Sequence, residues 1–192
     1  MGLRRIMGQT TFTATAAASG YIKDAGPFGG GKTAFAGGAV QVGRDITGAS
    51  NIWRGYLSYD TSGGIPNKAV VTKIELILAG RITLVASGAN PDDWKTSINM
   101  GTFIGAALDT SDWGGSSGEV LLHDWATNPV VGAIDLGSAG VSSYNNTGDT
   151  DFELIDNSLF TGGAGDWYHS LTYSGHTIKV YWHLPQVNIT GS

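Results

Sequence analysis

The sequence predicts an all-β fold, an antiparallel β-sandwich with one short helix. Three observations carry this expectation. Segments rich in aromatic and β-branched residues recur roughly every 8–15 residues with turn residues between them, the pattern of sandwiches and barrels. Glycine supplies 30 of the 192 residues, and Ser, Thr and Asn are plentiful, which suits a chain that turns often. Charged residues make up only 14%, against about 25% in ordinary soluble domains. Low charge suits β-structure and a surface partly covered by neighbours.

Taken in order, residues 10–15 have strand composition, and residues 21–23 form a short second strand. Residues 25–38, rich in glycine and containing Pro27, read as loop. Residues 39–43 alternate and form a strand. Residues 53–60 and 69–78 are the two central strands, separated by a turn holding Gly63, Gly64, Pro66 and Asn67. In the second, Ile74, Leu76 and Leu78 fall on one face and Lys73 and Glu75 on the other, as on a half-buried strand. Residues 81–85 have strand composition but are bracketed by Gly80 and a polar loop, which leaves strand and loop both open. Residues 94–104 alternate and form a strand. Residues 109–114 form a turn or a single helical turn. Strands follow at 119–122, 133–136, 152–155, 167–171 and 178–182. The one helix spans 138–146, with Ser138 as cap and Gly148 as stop. No repeat or low-complexity linker divides the chain. It therefore reads as an arm (1–9), a single sandwich (10–184) and a tail (185–192).

The central pair, Arg54-Gly55-Tyr56-Leu57-Ser58-Tyr59-Asp60-Thr61-Ser62, Ile65-Pro66, Ala69-Val70-Val71 and Ile74-Glu75-Leu76-Ile77-Leu78, resembles the centre of DNRLRE-type domains. The later series Ile134-Asp135-Leu136, Val141 to Asn145, Asp151 to Leu154, Asp166-Trp167-Tyr168 and Ile178 to Tyr181 resembles the same family in order and spacing. The likeness covers about residues 10–184 and departs around 80–93 and in the tails. It implies a jelly-roll β-sandwich of the kind found in bacterial surface proteins and phage virion proteins, similar in architecture to some carbohydrate-binding modules. The virion is the location it favours, with the cell surface or extracellular space as the alternative.

Composition narrows the chemistry. The chain has no cysteine, which removes disulfides and thiolate metal sites, and its four histidines show no ligand spacing. A net charge of −5 argues against sequence-independent nucleic-acid binding. No apolar run is long enough to span a membrane or to form a signal peptide behind Arg4 and Arg5. No nucleophile–base spacing and no glycosidase carboxylate pair stands out, so the expectation is a non-enzyme with no cofactor and no metal.

Several residues invite functional readings. Residues 26–33 satisfy the phosphate-loop pattern G-x-x-x-x-G-K-[ST], but that chemistry needs a buried strand before the loop and a helix after it. Neither flank qualifies, so a loop is expected. Arg54 and Asp60 could form a binding pair; ties from the strand to adjacent loops are the favoured reading. Asp92, Asp93, Asp109, Asp112, Asp149 and Asp151 lie in loops and read as turn and capping groups before calcium ligands. Trp94 and Trp113, next to polar loops, are the candidates for glycan stacking, although aromatic residues in a sandwich belong to the core by default. Terminal segments seldom order alone. Leu3, Ile6 and Met7 are therefore expected to dock on a neighbouring subunit, Arg4 and Arg5 to meet its carboxylates, and Val187 and Ile189 to add a strand to its sheet edge. The partners are other copies of the chain or a major capsid or tail protein, with a glycan as a further possibility. The leading expectation is a capsid decoration or surface component. The alternatives are a carbohydrate- or receptor-binding module and an extracellular filament or surface-layer subunit.

Overall fold

The computed structural model describes residues 6–25, 31–45, 51–79, 81–87, 95–116, 118–124, 132–156, 166–171 and 175–186. Its strands are β1 (Met7–Thr13), β2 (Gly20–Ala25), β3 (Lys32–Ala36), β4 (Val40–Asp45), β5 (Asn51–Asp60), β6 (Val70–Ile77) and β7 (Arg81–Ser87). There follow β8 (Lys95–Gly101), β9 (Glu119–Asp124), β10 (Ala133–Asp135), the helix α1 (Gly137–Ser143), β11 (Asp149–Asp156), β12 (Asp166–Leu171) and β13 (Thr177–His183). Every pairing among the described residues is antiparallel.

The strands form a 4-stranded sheet, β1-β13-β6-β10, and a 9-stranded sheet along β7-β12-β4-β5-β11-β8-β9 with β2 and β3 branching from β5. The chain crosses repeatedly between the sheets, the connectivity of a jelly-roll-type sandwich. Period-2 alternation builds the core. Leu57, Tyr59, Ile98, Met100, Phe152 and Leu154 of the large sheet face Ile74, Leu76, Ile178 and Val180 of the small one, all fully buried. Tyr59 and Phe152 meet edge to face at 5.6 Å.

The large sheet forks at β5. Strand β2 pairs with residues 51–56 of β5, β4 with 51–53 and β11 with 55–60. Since β2 overlaps both other ranges, β4 and β11 must share the opposite edge. Gly55 sits where they part. A Cβ there would lie 2.7 Å from Val40 Cγ1, 3.3 Å from the Gln41 carbonyl oxygen and 3.4 Å from Leu154 Cβ. Val40 is β-branched and fully buried, so it has little room to give.

The structure corrects several expectations. Residues 32–36, read as loop, form β3, because β2 offers Phe35 a stacking partner in Tyr21 (4.6 Å). Residues 81–87 are a strand, paired with β12. The strand expected at 94–104 stops at Gly101. β1 starts at Met7, so Met7, Gly8 and Gln9 of the segment read as an arm belong to a paired strand. Gly8 is required there because the Trp182 indole crosses it, 2.2 Å from a would-be Cβ. The helix begins one residue earlier and ends three earlier than expected. Ser138 lies within it and does not cap it; the Asp135 carboxylate accepts from the Gly137 N–H (3.0 Å) instead.

Gly55→Ala is expected to destabilise the protein by about 1–3 kcal/mol, the usual cost of overpacking a close-packed site. Denaturant unfolding followed by tryptophan fluorescence checks this, and an unchanged midpoint would refute the fork geometry.

Candidate functional site: the covered face of the large sheet

Alternation on β5, β8 and β11 sends Arg54, Tyr56, Asn99, Asp151 and Glu153 to the outer face of the large sheet, away from the core. A sheet face of this composition would normally meet water. Here residues 102–116 return across it after β8. Ile104 and Leu108 pack with Ala18, Ile22 and Tyr56 into a second apolar cluster, flanked by Phe103, Ala34 and Trp113. Strand β11 is therefore buried on both faces, and Asp151 and Glu153 have no solvent exposure.

Two carboxylates, two residues apart on β11, hold the two ends of the returning segment. Asp151 Oδ2 accepts from the backbone N–H groups of Phe103 (2.7 Å) and Ile104 (2.8 Å). Glu153 holds the other end. Its Oε1 accepts from Arg54 Nη1 (2.8 Å), the Tyr56 hydroxyl (2.8 Å) and the Gly114 N–H (3.1 Å), and its Oε2 from the Ser116 hydroxyl (2.5 Å). Asn99 Nδ2 donates in turn to Ser116 Oγ (2.8 Å). Burying a carboxylate is costly unless it is paired and hydrogen-bonded. Glu153 meets both conditions, whereas Asp151 accepts on Oδ2 alone and its buried Oδ1 has no hydrogen-bond partner among the described residues. Burial, and next the Glu153 charge, push the Tyr56 phenol well above its ordinary range, so it remains a proton donor.

Between the pinned ends, Asp109 and Asp112 close a capping box around a single 3-10 turn. Asp109 Oδ1 accepts from the Ser111 N–H (2.7 Å) and hydroxyl (2.5 Å), which hold its carboxyl below the usual range. Asp112 Oδ2 accepts from the Asp109 N–H (2.8 Å), but burial raises the Asp112 carboxyl, with the charges of Asp109 and Asp151 adding to the effect. Trp113 follows directly, half-buried, with the Arg54 guanidinium carbon 4.2 Å and the Lys32 ammonium 5.6 Å from its ring centroid.

The residues singled out from sequence fall out as follows. Arg54 and Asp60 do not form a pair. Arg54 ties to Glu153, and Asp60 accepts from the Ser62 N–H (3.0 Å) and hydroxyl (2.5 Å) at the following turn. Lys32 and Thr33 of the phosphate-loop pattern lie on β3, in an antiparallel hairpin with β2; residues 26–30 are outside the described residues. Ile6 and Met7 are exposed. Leu3, Arg4, Arg5, Val187, Ile189 and Trp94 lie outside the described residues, as do Asp92 and Asp93. Trp113 is placed by the returning 102–116 segment, with Arg54 on its ring. Among the described residues no group of three or more His, Cys, Asp or Glu could hold a metal ion. Glu153 was missed. Its alternation with Phe152 and Leu154 marks an outward-facing acid, but nothing local in the sequence announces the segment that buries it.

No family model matches this chain, and no curated protein matches it significantly.

Glu153→Gln keeps the shape but leaves Arg54 without its counter-charge. Breaking a buried pair costs about 3–5 kcal/mol, and the partial exposure of Arg54 should bring this to about 2–3 kcal/mol. Urea unfolding measures the loss, and amide exchange at residues 103–116 should quicken with it. Asp112→Asn should act in the opposite direction at neutral pH. An acid whose folded pKa is raised loses stability as pH climbs from its unfolded value through its folded one. The variant should therefore be more stable than the parent near pH 7 and lose that advantage below about pH 3, where the parent's Asp112 is protonated in both states. Parallel unfolding curves at the two pH values test this.

Proposed function

We propose that this chain is a structural subunit of a phage particle, a capsid decoration or other surface component, which associates with copies of itself or with a lattice protein at the open end of its small sheet. The observation that carries the reading is apolar exposure at the start of β1. Ile6 is 60% exposed and Met7 76%. The register sets Met7 opposite His183 and His183 opposite Val70, and Val70 is itself 46% exposed. Met7 and Val70 thus flank one row on one face of the sheet, and Ile6 adds a third exposed apolar side chain at the same end, on the opposite face by alternation. Single exposed apolar residues are ordinary, but a local group of them at a sheet end suits a contact surface. Leu3, Arg4 and Arg5 extend it in sequence, and Val187 and Ile189 follow the neighbouring strand. The low charge content supports a surface partly covered by partners, and the resemblance to DNRLRE-type domains, which occur in bacterial surface proteins and phage virion proteins, allows a phage particle as the setting.

Light scattering on the purified chain and on an Ile6→Lys/Met7→Lys variant tests the reading. The expected result is an oligomer in the parent and a folded monomer in the variant. A parent that stays monomeric and binds glycans would overturn it in favour of a binding module.

A further inference from the structure

The small sheet ends in β1, and the hydrogen bonds flanking that strand reveal which backbone groups it leaves open. The Leu184 N–H donates to the Ile6 carbonyl (3.0 Å), and the Ala14 N–H donates to the His176 carbonyl (3.0 Å). Both pairs continue the β1–β13 register at its two ends. In an antiparallel ladder, bonded pairs alternate with non-bonded ones. Gly8, Thr10 and Phe12 therefore turn their N–H and C=O groups toward β13. Met7, Gln9, Thr11 and Thr13 turn theirs to the opposite side, where no other strand pairs among the described residues.

Open edges are usually guarded by charge or proline. The other edge strands fit that rule: β3 carries Lys32, β7 Arg81, β9 Glu119 and Asp124, and β10 Asp135. β1, Met-Gly-Gln-Thr-Thr-Phe-Thr, carries no charge and no proline. Among the described residues it is the edge strand without charge or proline, and Ile6 and Met7 at its start are exposed.

We infer that β1 pairs through this edge with β1 of a second copy, antiparallel about a two-fold axis, joining two small sheets into one. The inference rests on the self-association proposed above and names its surface. A two-fold axis at Thr10 sets Met7 opposite Thr13 and Gln9 opposite Thr11, so no charge or proline meets its like. The same register seats Ile6 and Met7 beside Ala14 and Thr13 of the other copy. Such an interface is isologous. Each of the other edges would bring a charged residue to that row, which is why a second β1 is the fitting occupant.

Thr11→Pro is the test. It removes an N–H aimed at the open edge and spares the bonds to β13, the setting in which a strand tolerates proline. Thr11→Lys, which only adds an edge charge, serves as a second variant should the proline perturb folding. Light scattering gives the association state, circular dichroism confirms the fold, and amide exchange by NMR reports each strand residue. The expected result is an associated parent with Gln9, Thr11 and Thr13 amides all protected. The variants should associate at least about tenfold more weakly, with protection kept at Gly8, Thr10 and Phe12 but lost at Gln9 and Thr13. Variants that associate like the parent would overturn the pairing and leave the assembly reading standing. A parent monomeric at its highest soluble concentration would overturn the pairing and the self-association it rests on, leaving only docking on a lattice protein. An oligomer whose Gln9 and Thr13 amides exchange freely, or one lost on removal of residues 187–192 alone, would assign the contact to another surface.

Discussion

Glu153 carries its charge where water does not reach, held by an ion pair and three neutral donors drawn from β5 and from the returning 102–116 segment. Each of those donors is in place because of another part of the fold. Arg54 and Tyr56 reach the carboxylate because β11 pairs with β5 in one register, Leu154 against Gly55 and Glu153 against Tyr56. Gly114 and Ser116 reach it because Asp151 fixes the other end of the segment. A one-residue slip between β5 and β11 would turn Phe152 and Leu154 outward and these acids into the core. The polar cluster thus fixes register from outside, as the apolar core does from inside.

Charges buried in this way are weak sources of net stability, since desolvation consumes most of the Coulomb gain. Their effect is selective: alternatives that leave Glu153 or Asp151 without donors are costly. The apolar part of the 102–116 segment, Ile104, Leu108 and Phe103, gives it its reason to lie down. The carboxylates decide where. Trp113 is positioned at the end of this sequence of contacts, stacked on the guanidinium that also serves Glu153.

The sandwich was legible in the sequence because period-2 alternation and turn chemistry are local signals. Both central strands, the late aromatic strands and the acidic turn at 109–112 follow from them directly. What was not legible depended on contacts across long separations. β3 looks like loop until Tyr21 stacks on Phe35. The start of β1 looks like an arm until Trp182, far along the chain, covers Gly8. Glu153 looks like an ordinary outward-facing acid until residues 102–116 cover it. The helix was misplaced by a smaller effect, since Asp135 satisfies the first N–H group in place of Ser138. The termini differed again: the arm and tail residues expected to dock, apart from Ile6 and Met7, fall outside the described residues.

The adjacency of the first and last strands has a mechanical consequence. Ile6 and Leu184 face each other across a ladder whose strands lie about 5 Å apart, so the chain enters and leaves the sandwich at one corner. Tension applied through the two flanking segments would not shear this ladder, in which case all its bonds would resist together. It would open the ladder like a zipper, beginning at the Ile6–Leu184 bond and loading one bonded pair at a time toward Ala14 and His176. The sandwich is thus soft to a pull between its own ends.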